Sequence, residues 1–151
     1  MIDEVSLLSL QLLAEIDHAL RFAKEKPDLW FGGVAMIFCG DFLQFPPVGG
    51  TPLYVLIPLY ADQSNAEILR RLGRLAWRTV NSVIELTEQQ RMKEDPEYGE
   101  AVNRLRRREC TEDDVELFNS RLVRSASNPV GVDMSCLGKE DATAIVMTNE
   151  T

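Results

Sequence analysis

No stretch of about 18 consecutive apolar residues occurs in the 151 residues, which excludes a membrane-spanning helix on length. Met1-Ile2-Asp3-Glu4 lacks the basic start and apolar core of a secretory leader, so an intracellular, reducing compartment is expected. Cysteine is scarce: Cys39, Cys110 and Cys136 are odd in number and widely spaced, with no C-x-x-C pair and His18 as the sole imidazole. A disulfide framework or a zinc cluster needs more than that, and the thiols read as buried or incidental. Low-complexity tracts and internal repeats are absent too. What remains, 45% hydrophobic and 26% charged residues, is the composition of a globular chain able to bury a core.

The formal net charge of -8 argues against a protein that coats nucleic acid. Its distribution says more. Residues 1–69 hold 9 acids and 3 bases, residues 70–108 hold 6 and 10, and residues 109–151 hold 9 and 3. Arg70, Arg74 and Arg78 recur every fourth residue in the basic centre, with Arg71 beside them and Arg104, Arg106, Arg107 and Arg108 further on. On a helix the first set forms one stripe, which can meet phosphates or simply face water; the solvated face is the plainer reading.

Helical spacing of Val5, Leu8, Leu12, Leu13, Ile16, Leu20 and Phe22 predicts an amphipathic helix over 5–23, stopped by the polar segment with Pro27. Val34-Ala35-Met36-Ile37-Phe38-Cys39 is an unbroken apolar run of strand length, as expected of a strand covered on both faces. Residues 42–52 hold Pro46, Pro47, Gly49, Gly50 and Pro52 and must be a loop, where open α/β sheets bind ligands. Further helices are expected over 66–77, 98–105 and 112–122, the last capped by Thr111 with Asp113 and Asp114 in its first turn. Short strands are expected at 82–86 and 143–147. The alternation gives an α/β fold.

Two segments can carry chemistry. Asp3-Glu4 follows an apolar residue, and adjacent carboxylates at a strand's end can hold a magnesium ion and take a proton from water, although acidic pairs also cap helices. Gly40-Asp41-Phe42-Leu43-Gln44-Phe45-Pro46-Pro47-Val48 is more specific: it sets an uncharged amide, Gln44, on a rigid loop where it can bond a phosphate oxygen or orient a water.

Asp3-Glu4-Val5-Ser6, Phe31-Gly32-Gly33 and the Gly40 to Val48 segment, in this order and spacing, resemble the Pif/RecD-like branch of superfamily-one DNA helicases, Helitron helicases included. Leu86-Thr87-Glu88-Gln89-Gln90-Arg91 resembles that family's fourth motif. Leu105-Arg106-Arg107-Arg108 with Thr111 and Asp114 resembles the segment after it, and Ile145 to Asn149 the opening of the next. The resemblance implies a partial RecA-like P-loop NTPase fold, with the rear of a first RecA-like domain in 1–80 and the front of a second in 81–151. It implies ATP and Mg2+ as cofactors, with Asp3 at the magnesium, Glu4 as general base, Gln44 as sensor of the γ-phosphate and Arg91 as a γ-phosphate contact from the second domain. It further implies single-stranded or forked DNA as partner, work in repair, recombination, telomere maintenance or transposition, and a nuclear or mitochondrial place in a eukaryote.

One departure bears on activity. No G-x-x-x-x-G-K-[ST] loop occurs, so the backbone cradle and lysine for the nucleotide phosphates are missing from these residues. The chain is thus expected to be an internal piece with no robust ATPase alone. The alternative is a catalytically inactive remnant or a protein-interaction domain that keeps the fold.

Overall fold

A computed structural model describes residues 1–57 and 64–122, and in it the chain divides into two compact units, Met1–Leu86 and Thr87–Thr151. The division near residue 80 expected from the motifs stands a few residues before this one.

The first unit is built on two helices. The first, α1, spans Leu10–Ala23, starting later than the apolar spacing alone predicts. The reason lies in the backbone before it: Glu4 takes a left-handed conformation (φ 52°), Val5–Leu7 form a single 3-10 turn, and extended Ser9 caps α1 by accepting the Leu12 N–H at 3.1 Å. Leu10, Leu13, Ala14 and Asp17 form its buried face, at spacings of three and four. The second helix, α2, spans Asn65–Trp77 behind an N-capping Ser64, as its periodicity predicts.

The two helices meet at Gly73. A Cβ built there would lie 1.8 Å from the Leu10 carbonyl oxygen, so only a residue without a side chain permits this approach. Around the crossing lies the core of Val5, Leu8, Leu10, Leu13, Phe31, Leu53 and Ala76. Fully burying a leucine contributes about 2 kcal/mol, so this cluster is the main apolar support of the unit.

The apolar run 34–39 does not form a strand of the predicted length. Ile2 and Phe38 make one isolated parallel bridge, with the Ile2 N–H donating to the Ile37 carbonyl and the Cys39 N–H to the Ile2 carbonyl, both at 2.8 Å. The left-handed turn at Glu4 breaks the ladder, and one further bond, from the Val5 N–H to the Cys39 carbonyl, follows it. Ser9 and Pro52 make a second, antiparallel bridge. Residues 82–86 are not a strand either: Val83, Ile84 and Leu86 are about nine-tenths exposed, and no ladder joins them among the described residues. A strand is defined by the neighbour that takes its hydrogen bonds, which an apolar run does not specify. Among the described residues the sheet of the expected α/β fold is thus represented by two bridges. The segment 143–147 lies outside the described residues.

In the second unit, α3 spans Pro96–Arg107 and α4 spans Glu112–Ser120. Asp95 caps α3 by accepting the Tyr98 N–H, Pro96 occupies the first turn, and Arg108 closes the helix in a left-handed conformation (φ 62°). Thr111 caps α4 as the sequence predicts, and Asp114 completes a reciprocal capping box by accepting the Thr111 N–H at 2.9 Å. Tyr98 and Phe118 pack edge to face at 5.7 Å.

Candidate functional site

Asp3 and Glu4 are exposed at the end of the paired segment, and one Asp3 carboxylate oxygen accepts the Glu4 N–H at 2.9 Å. The Val5 N–H donates to the Cys39 carbonyl at 2.9 Å. Because Ile2 and Phe38 run parallel, the residues that follow each emerge at the same end: Asp3-Glu4 from one segment, Gly40-Asp41 from the other. Gly40 is where they touch. At φ 142°, a Cβ there would lie 2.7 Å from the Val5 nitrogen and 3.3 Å from the Glu4 carbonyl carbon. Beside them Ser6 is buried, and its hydroxyl has no hydrogen-bond partner among the described residues.

The loop read from the sequence over 42–52, with Gly40 and Asp41 leading into it, is held at three places. Asp41 starts a tight turn, its carboxylate accepting the Leu43 N–H at 2.9 Å and its carbonyl the Gln44 N–H at 3.0 Å, which leaves Gln44 exposed just beyond. Phe42 packs edge-on against Trp77 at the end of α2 (5.8 Å) and against Tyr54 (5.7 Å), and Trp77 in turn meets Phe38 at 5.3 Å. At the far end, Gln11 on α1 and Thr51 bond reciprocally: the Thr51 N–H donates to Gln11 Oε1 at 3.1 Å and Gln11 Nε2 to the Thr51 hydroxyl at 3.4 Å. The Leu10 N–H donates to the Thr51 carbonyl at 2.8 Å, and an Arg74 guanidinium nitrogen to the Leu53 carbonyl. Of these, Gln11, Thr51, Tyr54 and Trp77 were not singled out by sequence. Their contacts join residues 12 to 41 positions apart, and no local pattern encodes them.

In the arginine stripe on α2, Arg78 is exposed as the solvated-face reading has it, whereas Arg70 and Arg74 bond within the unit. Arg70 pairs with buried Glu67 at 2.7 Å, Arg71 Nε lies 3.9 Å from the same carboxylate, and Arg74 holds the Leu53 carbonyl. The first two helical turns of the stripe therefore serve the unit itself. In the second unit, Arg104 forms a two-pronged pair with Asp114 (2.6 Å from Nη2, 2.9 Å from Nε), and Arg107 pairs with Glu109 at 3.1 Å. Arg91 is exposed, and its backbone N–H donates to Gln89 Oε1 at 3.2 Å. It belongs to the unit from Thr87 on, whereas Asp3, Glu4 and Gln44 belong to the first.

Asp114 is buried, and its carboxyl is held well below the usual carboxylate range, first by the Arg104 guanidinium, then by the Thr111 N–H, against the opposing effect of burial. The guanidinium of Arg104 is correspondingly raised, chiefly by the same bond. This is the helix-closing lock of the second unit, and nothing marks it as catalytic.

Among the described residues no cluster of three or more histidine, cysteine or acidic side chains is arranged to hold a metal. A magnesium ion bound with a nucleotide does not need one, since phosphate oxygens and waters fill most of its shell around one or two carboxylates. Asp3, given to the magnesium by the resemblance, carries an exposed carboxylate of that kind. An open concavity of about 1010 Å³ lies along α1, lined by Asp17, His18, Arg21, Trp30 and Leu72 among others; Asp3, Glu4 and Gln44 take no part in it. Its floor is a structural fastening, with Asp17 accepting the Phe31 N–H and Arg21 Nε, and Arg21 stacking on Trp30 at 4.3 Å.

Solved structures of similar shape place the chain among helicases. A Pif1 helicase from Bacteroides in complex with ADP-AlF3 and ssDNA matches with a TM-score of 0.59 and 28% identity, over 84% of this chain and 29% of that one. Pif1 helicase from Candida albicans matches at 0.58 and 26% identity, over 82% and 25%. The PIF1-like helicase family matches residues 1–107, and the chain belongs to that family. Among curated relatives, the ATP-dependent DNA helicase PIF1 of Homo sapiens is 30% identical across 99% of this chain and 21% of its own length. That of Trypanosoma brucei brucei is 46% identical over 52 residues, 34% of this chain. The chain spans 6% and 21% of the length of these two relatives.

Proposed function

We propose that this chain carries part of the nucleotide-hydrolysing centre of an ATP-dependent DNA helicase, on a partial RecA-like α/β scaffold, and works inside the cell on single-stranded or forked DNA. The observation that supports it is the parallel pairing of Ile2 with Phe38, which delivers the carboxylate pair and the Gln44 loop at one end. Magnesium-bound ATP supplies a terminal phosphate whose transfer needs charge neutralisation and an oriented water. Asp3 offers a carboxylate to the cation, and Glu4 accepts the proton of the water. Gln44, neutral and capable of both donating and accepting, bonds the terminal phosphate or that water. Arg91 offers a guanidinium to the negative charge of the terminal phosphate. Roles in repair, recombination and telomere maintenance follow for the whole helicase.

Glu4→Gln tests the proposal in a longer chain that joins a phosphate-binding loop to this sequence. The amide keeps the shape but accepts no proton, so turnover falls roughly 10²- to 10⁴-fold while Mg-ATP affinity stays within a few-fold. Turnover near the parent's removes Glu4 from the base role. The 151 residues alone, without the lysine and amide cradle, bind Mg-ATP weakly by calorimetry, and submicromolar binding would contradict this account.

A further inference from the structure

The two paired segments fall out of step by one residue at the candidate site. In a parallel pair the hydrogen bonds are evenly spaced, so once the Ile2 N–H takes the Ile37 carbonyl, the Cys39 carbonyl is due the Glu4 N–H. The Val5 N–H takes it instead, at 2.9 Å, and Glu4 stands in surplus in a left-handed conformation (φ 52°). This is a bulge, a device that re-aims a side chain and bends its strand. The N–H that Glu4 withholds from the pairing is accepted by the Asp3 carboxylate at 2.9 Å. Across from the bulge lies Gly40, itself at φ 142°. An added Cβ there would stand 2.7 Å from the Val5 nitrogen, 3.1 Å from Val5 Cγ1 and 3.3 Å from the Glu4 carbonyl carbon. Val5 belongs to the buried core, so a side chain at position 40 presses on the peptide bond that Glu4 and Val5 share.

We propose that Gly40 is a positioning residue for Glu4: by leaving room for the bulge it sets the carboxylate of the proposed base. The catalytic purpose rests on the function proposed above; the geometry does not. Regular pairing would send Asp3 and Glu4 to opposite faces of the strand. The bulge takes Glu4 out of that alternation, and the missing side chain of Gly40 is what permits it. Gly40 also opens the segment that carries Gln44, so one glycine joins the setting of the base to the start of the loop.

Hydrogen exchange at the Val5 amide reads the geometry in the 151-residue chain. Gly40→Ala should speed that exchange about tenfold or more, while the Leu10 amide, bonded to Thr51, keeps its parental rate. Gly49→Ala is the control: Gly49 also has a positive φ, but a Cβ there would meet nothing within 4 Å, so Val5 should be unaffected. Position 4 tests the bulge without touching Gly40, at an exposed residue where folding is not at stake. Glu4→Gly suits a left-handed backbone and should leave Val5 protected, whereas β-branched Glu4→Val does not and should expose it. Equal exchange in these two variants, or parental exchange in Gly40→Ala, overturns the proposal; if Gly40→Ala does not fold, the pair at position 4 decides it. In the longer, phosphate-loop-bearing chain, Gly40→Ala should lower kcat on the order of 10²-fold with KM for Mg-ATP within a few-fold, and adding it to Glu4→Gln should cost nothing further. A full extra loss in that double variant would mean that Gly40 does not act through Glu4, and would overturn the positioning role. Parental turnover in Glu4→Gln alone would remove the base role and leave the exchange result at Val5 standing.

Discussion

The two units are held by different physics. In the first, seven buried apolar residues surround a helix crossing, with the buried carboxylates Asp17 and Glu67 bonded beside them. In the described part of the second, Gly99, Ala101 and Asp114 are the buried residues, and α3 and α4 are joined by the two-pronged Arg104–Asp114 pair, the Arg121–Asp95 pair and one aromatic contact, with a capping box closing the start of α4. Apolar burial is insensitive to protonation and modest salt, whereas an ion pair answers to both. One chain therefore contains a half that should fail when its shape is disturbed and a half that should fail when its charges are.

The sharpest way to break the first half is to add a single methyl group. Gly73→Ala places a carbon where the Leu10 carbonyl stands, and two backbones must separate. Overpacking usually costs about 1–3 kcal/mol, and a clash with main chain belongs at the top of that range or above. Thermal or urea unfolding followed at Trp30 and Trp77 should show it, with α3 and α4 amide signals little changed.

Asp114→Asn probes the second half. The amide keeps the cap but loses the charge, so the bond to Arg104 weakens and α3 and α4 exchange their amide hydrogens faster. The pH dependence follows from the lowered carboxyl: its stabilisation is fully present above the ordinary unfolded value of about 3.9 and is lost as pH falls from there toward the folded value. Acid titration should loosen the parent's α3 and α4 below about pH 4, and that step should be missing in Asp114→Asn. An identical acid response in both proteins would place the pH-sensitive contact elsewhere.

The smallest effect is expected at Arg121. Its guanidinium pairs with Asp95 at 2.6 Å and lies 5.5 Å over the Tyr98 ring, but it is half exposed. Arg121→Ala should cost under about 1 kcal/mol, and less in high salt. A larger loss would mean that the second unit depends on surface charge more than its buried lock implies.

Much of this was legible in the sequence because it is local. Thr111 announces a helix start, apolar spacing gives the existence of α1 and α2 and the inward place of Leu13 and Ala76, and the prolines and glycines of 42–52 exclude regular structure. The caps Ser9 and Ser64 went unread, and Leu12, Phe22, Leu72 and Leu75, which share that spacing, are exposed. What sequence could not supply was partnership. The run 34–39 and the segment 82–86 have strand composition, yet one makes a single bridge and the other makes none among the described residues. The arginines of α2 have the spacing of a phosphate-binding stripe, but Glu67 and the Leu53 carbonyl claim them first. For the site, the motifs brought Asp3, Glu4 and Gln44 into view, while the residues that hold the loop in place carry no local signature.

The tip of that loop has one more consequence. Gly49 turns with φ 69° and a Cβ there would meet nothing within 4 Å, next to a fully exposed Val48. Phe42 fastens the chain before this tip and Thr51 fastens it after, each to a different helix. A protease cutting between Val48 and Gly49 would leave two new ends already tied down on either side of the cut. The tip is accordingly the place where a peptide tag or a second domain could be spliced into the first unit without unthreading its core.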